Sequence, residues 1–435
     1  MILKAMSKIL TTCKHGESLL LIKDKKITDM FCHESYNIYG IAIDIGTTTL
    51  GFSLIDLQSG NIKGKYSKLN SQGIYGADII SRIQHAASGK LEELQDRIKI
   101  DIVTAIRELL QSNGIDNRFI YEIAISGNTA MLHLLLGLYP ELLGRSPFVA
   151  VNLDLIELRF FEVFGVDLLD CRVTILPGMG VFVGADVMAG ILYHDMFKAE
   201  KINLFIDIGT NGEIVIANKN FILATATAAG PALEGGNISC GIGSVMGAIA
   251  RVSYDGNSFE WETIGNKEPI GICGSGVIDI IGQGLKYGLI DNTGLLREDL
   301  IEKGLIIYTD KKGKKLALKQ KDIRQIQLAK SAIRAGVESL IKKAGIALND
   351  IDQVYLAGGF ASNIHVGNMI RIGLIPQELE NKIHISGNSS LGGGVKYLLD
   401  KDCKQSLNII REKSRDINLS MDSEFNDLFI KNMYF

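Results

Sequence analysis

A duplicated α/β fold, with two mixed-sheet halves facing each other across a cleft, is what this sequence predicts. Two acidic, glycine-rich turns, Asp44-Ile45-Gly46-Thr47-Thr48 and Asp207-Ile208-Gly209-Thr210-Asn211, each close an apolar strand. The same order of elements surrounds both turns, which is the mark of an internal repeat. Apolar runs of strand length alternate with amphipathic helical stretches, a pattern that builds mixed sheets covered by helices.

The chain has 435 residues, enough for two or three domains. We expect a small N-terminal extension over residues 1–37, a first half over 38–200, a second over 201–400 and a tail over 401–435. In the extension, Ser18–Ile22 and Lys26–Phe31 flank a polar Lys23-Asp24-Lys25 turn and predict a hairpin. The first half reads as strands Ile41–Ile45, Gly51–Asp56 and Ile62–Leu69, helices near Asp78–Ala87 and Leu91–Ser112, and strand Tyr121–Ile125. Helix Thr129–Gly137, a strand at Val173–Leu176 and a helix near Ala185–Phe197 complete it. The second half repeats this with strands Leu204–Ile208, Glu213–Ala217 and Phe221–Thr225, helix Ile323–Ala344, and strands Gln353–Leu356 and Ile383–Ser386. In the tail, Glu424–Asn432 predicts a short helix docking its aromatic face, on its own domain as the plainer reading or on a subunit or partner as the other.

Composition narrows the class of partner. Apolar residues make up 46% and charged residues 22%, as in ordinary globular proteins. A net charge of −3 gives no electrostatic reason to expect nucleic acid or an anionic membrane. Val181–Tyr193 is too short to span a bilayer and contains Asp186, and Met1–Lys14 lacks a leader pattern, so a cytoplasmic protein is expected. The six cysteines are scattered, with no C-x-x-C pair, and are expected as thiols. His133, on an apolar helix face, is expected to be a satisfied core histidine.

The two turns carry the chemistry. A glycine after a strand lets backbone amides approach phosphate oxygens, and hydroxyl residues add donors. Gly46, Thr47, Thr48 and Thr49 supply these in the first turn; Gly209, Thr210, Asn211 and Gly212 supply them in the second. Asp44 and Asp207 repel phosphate, so they are expected to act through Mg²⁺, partly by way of its waters. Two such turns form jaws for one polyphosphate, which predicts ATP with Mg²⁺.

These motifs resemble phosphate 1 and phosphate 2 of the superfamily that contains acetate and sugar kinases, heat-shock chaperone ATPases and actin. Gly184–Gly190 resembles its first connecting helix, Ser390–Gly394 its second, and Tyr355–Ala361 its adenosine motif. The resemblance implies an actin-like ATPase fold. It places adenine near Gly358, Gly359 and Phe360, and the ribose against Glu234 and Gly235. It sets Asp186 facing the γ-phosphate, where it would orient the attacking water, with Asp207 sharing that task or holding Mg²⁺.

A narrower resemblance rests on Asn70–Ile83, Ile125–Met131, Ala229–Gly241, Gly271–Asp279, Gln320–Ala335 and Glu424-Phe425-Asn426. Together these segments resemble the ATP-dependent reductive activators of corrinoid proteins. That resemblance implies an ATPase, a homodimer, that drives an inactive cobalt(II) corrinoid of a methyl-transferring partner to cobalt(I). Members typically carry a ferredoxin-type domain, whereas only Cys13 and Cys32 precede Ile38 here. A plant-type cluster needs four cysteines. A separate low-potential donor, a ferredoxin or flavoprotein, is therefore expected.

Three alternatives stand beside it. A small-molecule kinase of the same superfamily would use Asp186 as a base toward a hydroxyl. An activator with an iron–sulfur cluster at its dimer interface, as in 2-hydroxyacyl-CoA dehydratase systems, would use Cys240 and Cys273, although small buried packing groups are the plainer reading. A non-catalytic, nucleotide-gated binding module is the third. Ser239 is a candidate partner contact.

Overall fold

In a computed structural model of the chain, residues 18–23, 26–32, 37–359, 363–419 and 422–435 are described. The apolar runs of the first half form a six-stranded sheet in the order Ile62–Leu69, Thr49–Asp56, Tyr39–Ile45, Ile120–Gly127, Arg172–Ile175, Ile156–Arg159. Its first three strands are an antiparallel meander, and the next two lie parallel to Tyr39–Ile45. The second sheet repeats this arrangement with Ile222–Thr227, Gly212–Ala217, Ile202–Ile208, Ile351–Ala357 and Ile383–Gly387. The copies differ at their edges. Ile156–Arg159 closes the first sheet beside Arg172–Ile175, while Ser414–Asp416 extends the second beside Ile222–Thr227.

Alternation along the strands explains why both faces of the second sheet are covered. Leu204, Ile206 and Ile208 join one core with Ile214 and Ile216, packed against the long helix Gln320–Ala344. Phe205, Val215 and Ala217 face the other way and join the core of the first half. A period of two sends neighbouring residues to opposite faces, so a doubly covered strand reads as continuously apolar. Asp207 and Glu213 continue the second set, paired at the adjoining ends of their strands.

The halves meet through two helices, Ala185–Tyr193 and Ser389–Leu399. They pack so closely that a Cβ on Gly393 would lie 2.1 Å from the Ala189 carbonyl oxygen. Only glycine allows backbone to approach backbone at that distance.

Several elements were not anticipated. Residues between the second meander and the long helix form a three-stranded sheet, Phe259–Thr263, Ala248–Tyr254 and Gly271–Ile272. The helix Gly274–Lys286 and a hairpin of Leu305–Thr309 with Lys315–Leu318 pack with it. The tail adds a helix, Cys403–Lys413, whose buried Cys403, Ser406, Leu407 and Ile410 follow helical spacing. The expected hairpin pairs Ser18–Lys23 with Lys26–Cys32.

The terminal helix, Ser423–Lys431, packs on Gln320–Ala344 of its own half. Gln327 donates to the Met433 carbonyl at 2.8 Å, Ser331 to that of Phe429 and Lys330 to that of Tyr434. The Lys330 ammonium lies 5.4 Å from the Phe435 ring centroid. Burial pushes Lys330 down to about 8. Among the described residues no helix is long and apolar enough to cross a membrane.

Two measurements check this account. Gly393→Ala should cost about 1–3 kcal/mol by overpacking the crossing, read as a thermal midpoint several degrees lower. Gly73→Ala, where a Cβ meets open space, should be neutral. Lys330 has a lowered folded-state pKa, so the unfolded chain binds its proton more tightly, and stability rises with pH from about 8 toward the ordinary lysine value. Midpoints measured from pH 7.5 to 10.5 should show that rise in the parent and a flatter slope in Lys330→Met.

Candidate functional site

The first turn is fixed by its carbonyls. Gly46 donates its amide to the Thr49 carbonyl at 3.1 Å. The Gly46 carbonyl accepts from Asn70 Nδ2 at 3.0 Å, and that of Thr48 accepts from the Asn70 amide at 2.9 Å. Arg82 Nη2 donates to the Thr47 carbonyl at 2.6 Å. All four turn carbonyls therefore have donors inside the protein. The amides of Thr47 and Thr48 have no partner among the described residues. The Thr47 hydroxyl accepts from Asn128 Nδ2 at 3.1 Å. This gives the Asn70–Ile83 motif a physical role as the brace under the turn. Arg82 is fully buried, and burial lowers its guanidinium to about 10.

The second turn has the same plan with less support. Gly209 donates to the Asn211 carbonyl at 2.9 Å, and the Thr210 and Asn211 amides have no partner among the described residues. Thr210 Oγ1 donates to Glu234 Oε2 at 2.9 Å. Glu234 thus faces the phosphate-2 turn from the loop expected to wall a ribose. Gly212, opposite Ile208 in the ladder, opens the returning strand.

Five carboxylates converge between the turns. Asp44 ends its strand, Asp186 sits in the first turn of its helix, and Asp207 lies directly across the ladder from Glu213. Burial, then the Asp44 charge, pushes Asp186 up to about 7. Burial and the charges of Asp186, Asp44 and Glu234 hold Asp207 well above the usual carboxylate range. Glu213 is raised in the same way by burial, Asp186 and Asp207. Burial also raises Glu234, against the Thr210 hydrogen bond, and Asp44, against bonds from Ser390 and Asn388. No cationic side chain among the described residues offsets the charge at Asp44, Asp186, Asp207 or Glu213.

That charge tests the fit of a cation. Half-buried oxygens with like-charge neighbours and no basic partner suit a hard divalent ion. No three His, Cys, Asp or Glu side chains among the described residues form a metal cage by themselves. Mg²⁺ suits such a site, because it keeps waters and takes substrate phosphate oxygens as ligands.

The remaining predicted residues are distributed around this centre. Gly358 has φ 112°, and a Cβ there would lie 2.2 Å from the Ile208 carbonyl oxygen, so the strand Ile351–Ala357 ends against the second turn. Gly359 borders open space and Gly235 is buried, while Phe360 lies outside the described residues. Cys273 is buried, with its thiol 3.3 Å from the Ile249 carbonyl and 3.4 Å from Ser275 Oγ. Cys240 donates to the Ala317 carbonyl at 3.3 Å, and burial pushes its thiol up to about 11. Both thiols are engaged within their own half. Ser239 donates its amide and hydroxyl to Asp322 at 2.8 and 2.9 Å, tying its loop to the long helix. Thr48 and Thr49 are exposed. His133 accepts at Nε2 from the Val151 amide at 3.0 Å and lies 2.7 Å from the Thr129 carbonyl at Nδ1, a satisfied core histidine.

Sequence reading missed Glu213, Asn388, Ser390 and the brace formed by Asn70, Arg82 and Asn128. Glu213 had a signal, being an acid two residues after an acidic turn in an otherwise apolar strand. Asn388 had none and Ser390 was read only as the start of the second connecting helix, since their partner Asp44 is hundreds of positions away.

Comparison with known proteins agrees with this architecture. The family model described as RACo middle region matches residues 39–199. The one described as the C-terminal domain of RACo, the ASKHA domain, matches residues 201–435. The chain is 34% identical over 419 residues to the corrinoid activation enzyme RamQ of Eubacterium limosum, covering 92% of this chain and 70% of that protein. It is 26% identical over 428 residues to the [Co(II) methylated amine-specific corrinoid protein] reductase of Methanosarcina barkeri, covering 90% and 76%. A solved structure titled reductive activator for corrinoid, iron-sulfur protein superposes with a TM-score of 0.90 at 32% identity, covering 100% of this chain and 72% of that one. The chain is a member of the RACo family and carries its middle region and its actin-like ASKHA domain.

Proposed function

We propose that the cleft binds ATP with Mg²⁺ and that hydrolysis drives the cobalt(II) corrinoid of a methyl-transferring partner protein to cobalt(I). The observation that carries this reading is the uncompensated carboxylate cluster between two phosphate-type turns, in a chain akin along nine-tenths of its length to a corrinoid activation enzyme. One electron per cobalt comes from a separate low-potential donor, a ferredoxin or flavoprotein. The active species is a cytoplasmic homodimer.

Residue roles follow from position. The amides of Thr47, Thr48, Thr210 and Asn211 cradle phosphate oxygens, with the Thr49 hydroxyl and the Gly46, Gly209 and Gly212 backbone shaping the two jaws. Asp44 and Asp207 hold the metal, partly through water. Asp186 orients the attacking water at the γ-phosphate from the end of its helix. Glu234 and Gly235 border the ribose, and Gly358, Gly359 and Phe360 the adenine. Bound Mg²⁺ would neutralise charge on the transferred phosphoryl group. Inward-facing Cys240 and Cys273 support packing rather than cluster ligation.

The reading is tested anaerobically with the protein, Mg-ATP, a cobalt(II) corrinoid protein and a low-potential reductant. Cobalt(I) absorbance should grow only when ATP is present, and its absence would sink the proposal. Asp207→Asn and Asp186→Asn should each lower ATP turnover by roughly 10²-fold or more. Burial favours the protonated form of Asp186, so this acid destabilises the nucleotide-free fold as pH rises through about 7. Asp186→Asn should therefore match or exceed the parent's thermal midpoint at pH 8 while losing activity, a combination that misfolding cannot produce.

A further inference from the structure

Asp44 is held from outside its own sheet. Its Oδ2 accepts from Asn388 Nδ2 at 2.7 Å, and its Oδ1 from Ser390 Oγ at 2.7 Å. Both donors belong to the start of the second connecting helix, Ser389–Leu399. Asn388 is also the N-cap of that helix, accepting from the Leu391 amide at 2.7 Å through its other amide atom. Ser390 Oγ lies 2.8 Å from Ser126 Oγ, and Ser126 sits beside Asp44 in the sheet register. Two bonds thus fix the carboxylate's rotation, and both run to one helix.

That helix is tied to the first connecting helix at three places. Ser389 Oγ lies 3.1 Å from His194 Nε2, and the His194 ring stacks on Tyr355 with centroids 4.0 Å apart. Lys396 pairs with Asp195 at 2.5 Å. Between them, Gly393 touches the Ala189 backbone. The first connecting helix carries Asp186 in its first turn. A movement of the Asp44 carboxylate therefore has a continuous packed route to the segment bearing Asp186.

We propose that Asn388 and Ser390 are positioning residues that orient Asp44 toward the metal and make the second connecting helix sense whether nucleotide is loaded, an inference that rests on the nucleotide reading of the cleft. Partners that orient a metal-binding carboxylate typically contribute tenfold to a hundredfold in metal affinity. Here they sit on the element that joins the halves, so the same bonds transmit occupancy. A coupling of this kind needs an element whose two arrangements both sites bias, and the hydrogen-bonded first turn of this helix is that element.

The test is Asn388→Ser with Ser390→Ala in the full-length protein. Serine keeps an N-cap acceptor for the Leu391 amide but is too short to reach Asp44, and alanine removes the second donor. The Mg²⁺ concentration needed for half-maximal ATP binding should rise about tenfold. Hydrogen exchange of the 389–399 segment should slow when Mg-ATP is added to the parent and change less than half as much in the double variant. Ser390→Thr, which keeps the hydroxyl, should behave as the parent in both readouts. A double variant within twofold of the parent in Mg²⁺ dependence, or one with unchanged nucleotide-induced protection, overturns the inference. A parent that binds no Mg-ATP overturns the cleft reading itself, and this inference with it.

Discussion

The close crossing of the two connecting helices is the constraint on which the remaining geometry depends. Gly393 against Ala189 brings the helices to backbone contact, and their first turns then sit beside the ends of both sheets. Asp186 enters the cleft from one helix, and Asn388 with Ser390 reaches Asp44 from the other. A side chain at the crossing would push these groups apart together with Ala189, which belongs to the larger core. One hydrophobic core lies within the second half, while the larger one runs from the first half through both connecting helices to Phe205, Val215 and Ala217 of the second sheet, so the crossing is itself part of a packed core.

The cleft holds an electrostatic imbalance that the fold does not relieve. Asp44, Asp186, Asp207 and Glu213 gather at strand and helix ends without a basic neighbour among the described residues. Elsewhere the chain pairs its charges readily, as Lys68 does with buried Asp101 at 2.9 Å. Like charges gathered in a desolvated crevice lower the stability of the isolated protein and raise its affinity for any cation that enters. The imbalance thus lies in where the strand and helix ends place their acids, not in a defect of packing.

Much of this was legible in the sequence because the informative signals were local. Each phosphate turn announced itself through Asp, Gly and hydroxyl residues behind an apolar strand, and the second copy turned a weak signal into a strong one. The region around Ala248–Tyr254 and Leu305–Thr309 went unread although its strands alternate buried and exposed positions, because they are short and their small or polar residues and exposed Trp261 leave no long apolar run. The tail helix Cys403–Lys413 had helical spacing, but the polar residues between its buried positions masked it. The contacts of Asp44 with Asn388 and Ser390, and of Ser239 with Asp322, join residues far apart in sequence. No local pattern encodes them; only the duplicated topology brings them together.

The brace beneath the first turn has a mechanical consequence. Asn70 and Arg82, from a separate stretch of chain, clamp three of that turn's carbonyls, and Asn128 grips its threonine. The second turn rests on its own short bond and on Glu234. The two jaws share one plan, and the first is tied to the rest of its half by more bonds. The first is an anvil, with every carbonyl of the turn bonded within its own half, while the second has fewer bonds to hold its shape.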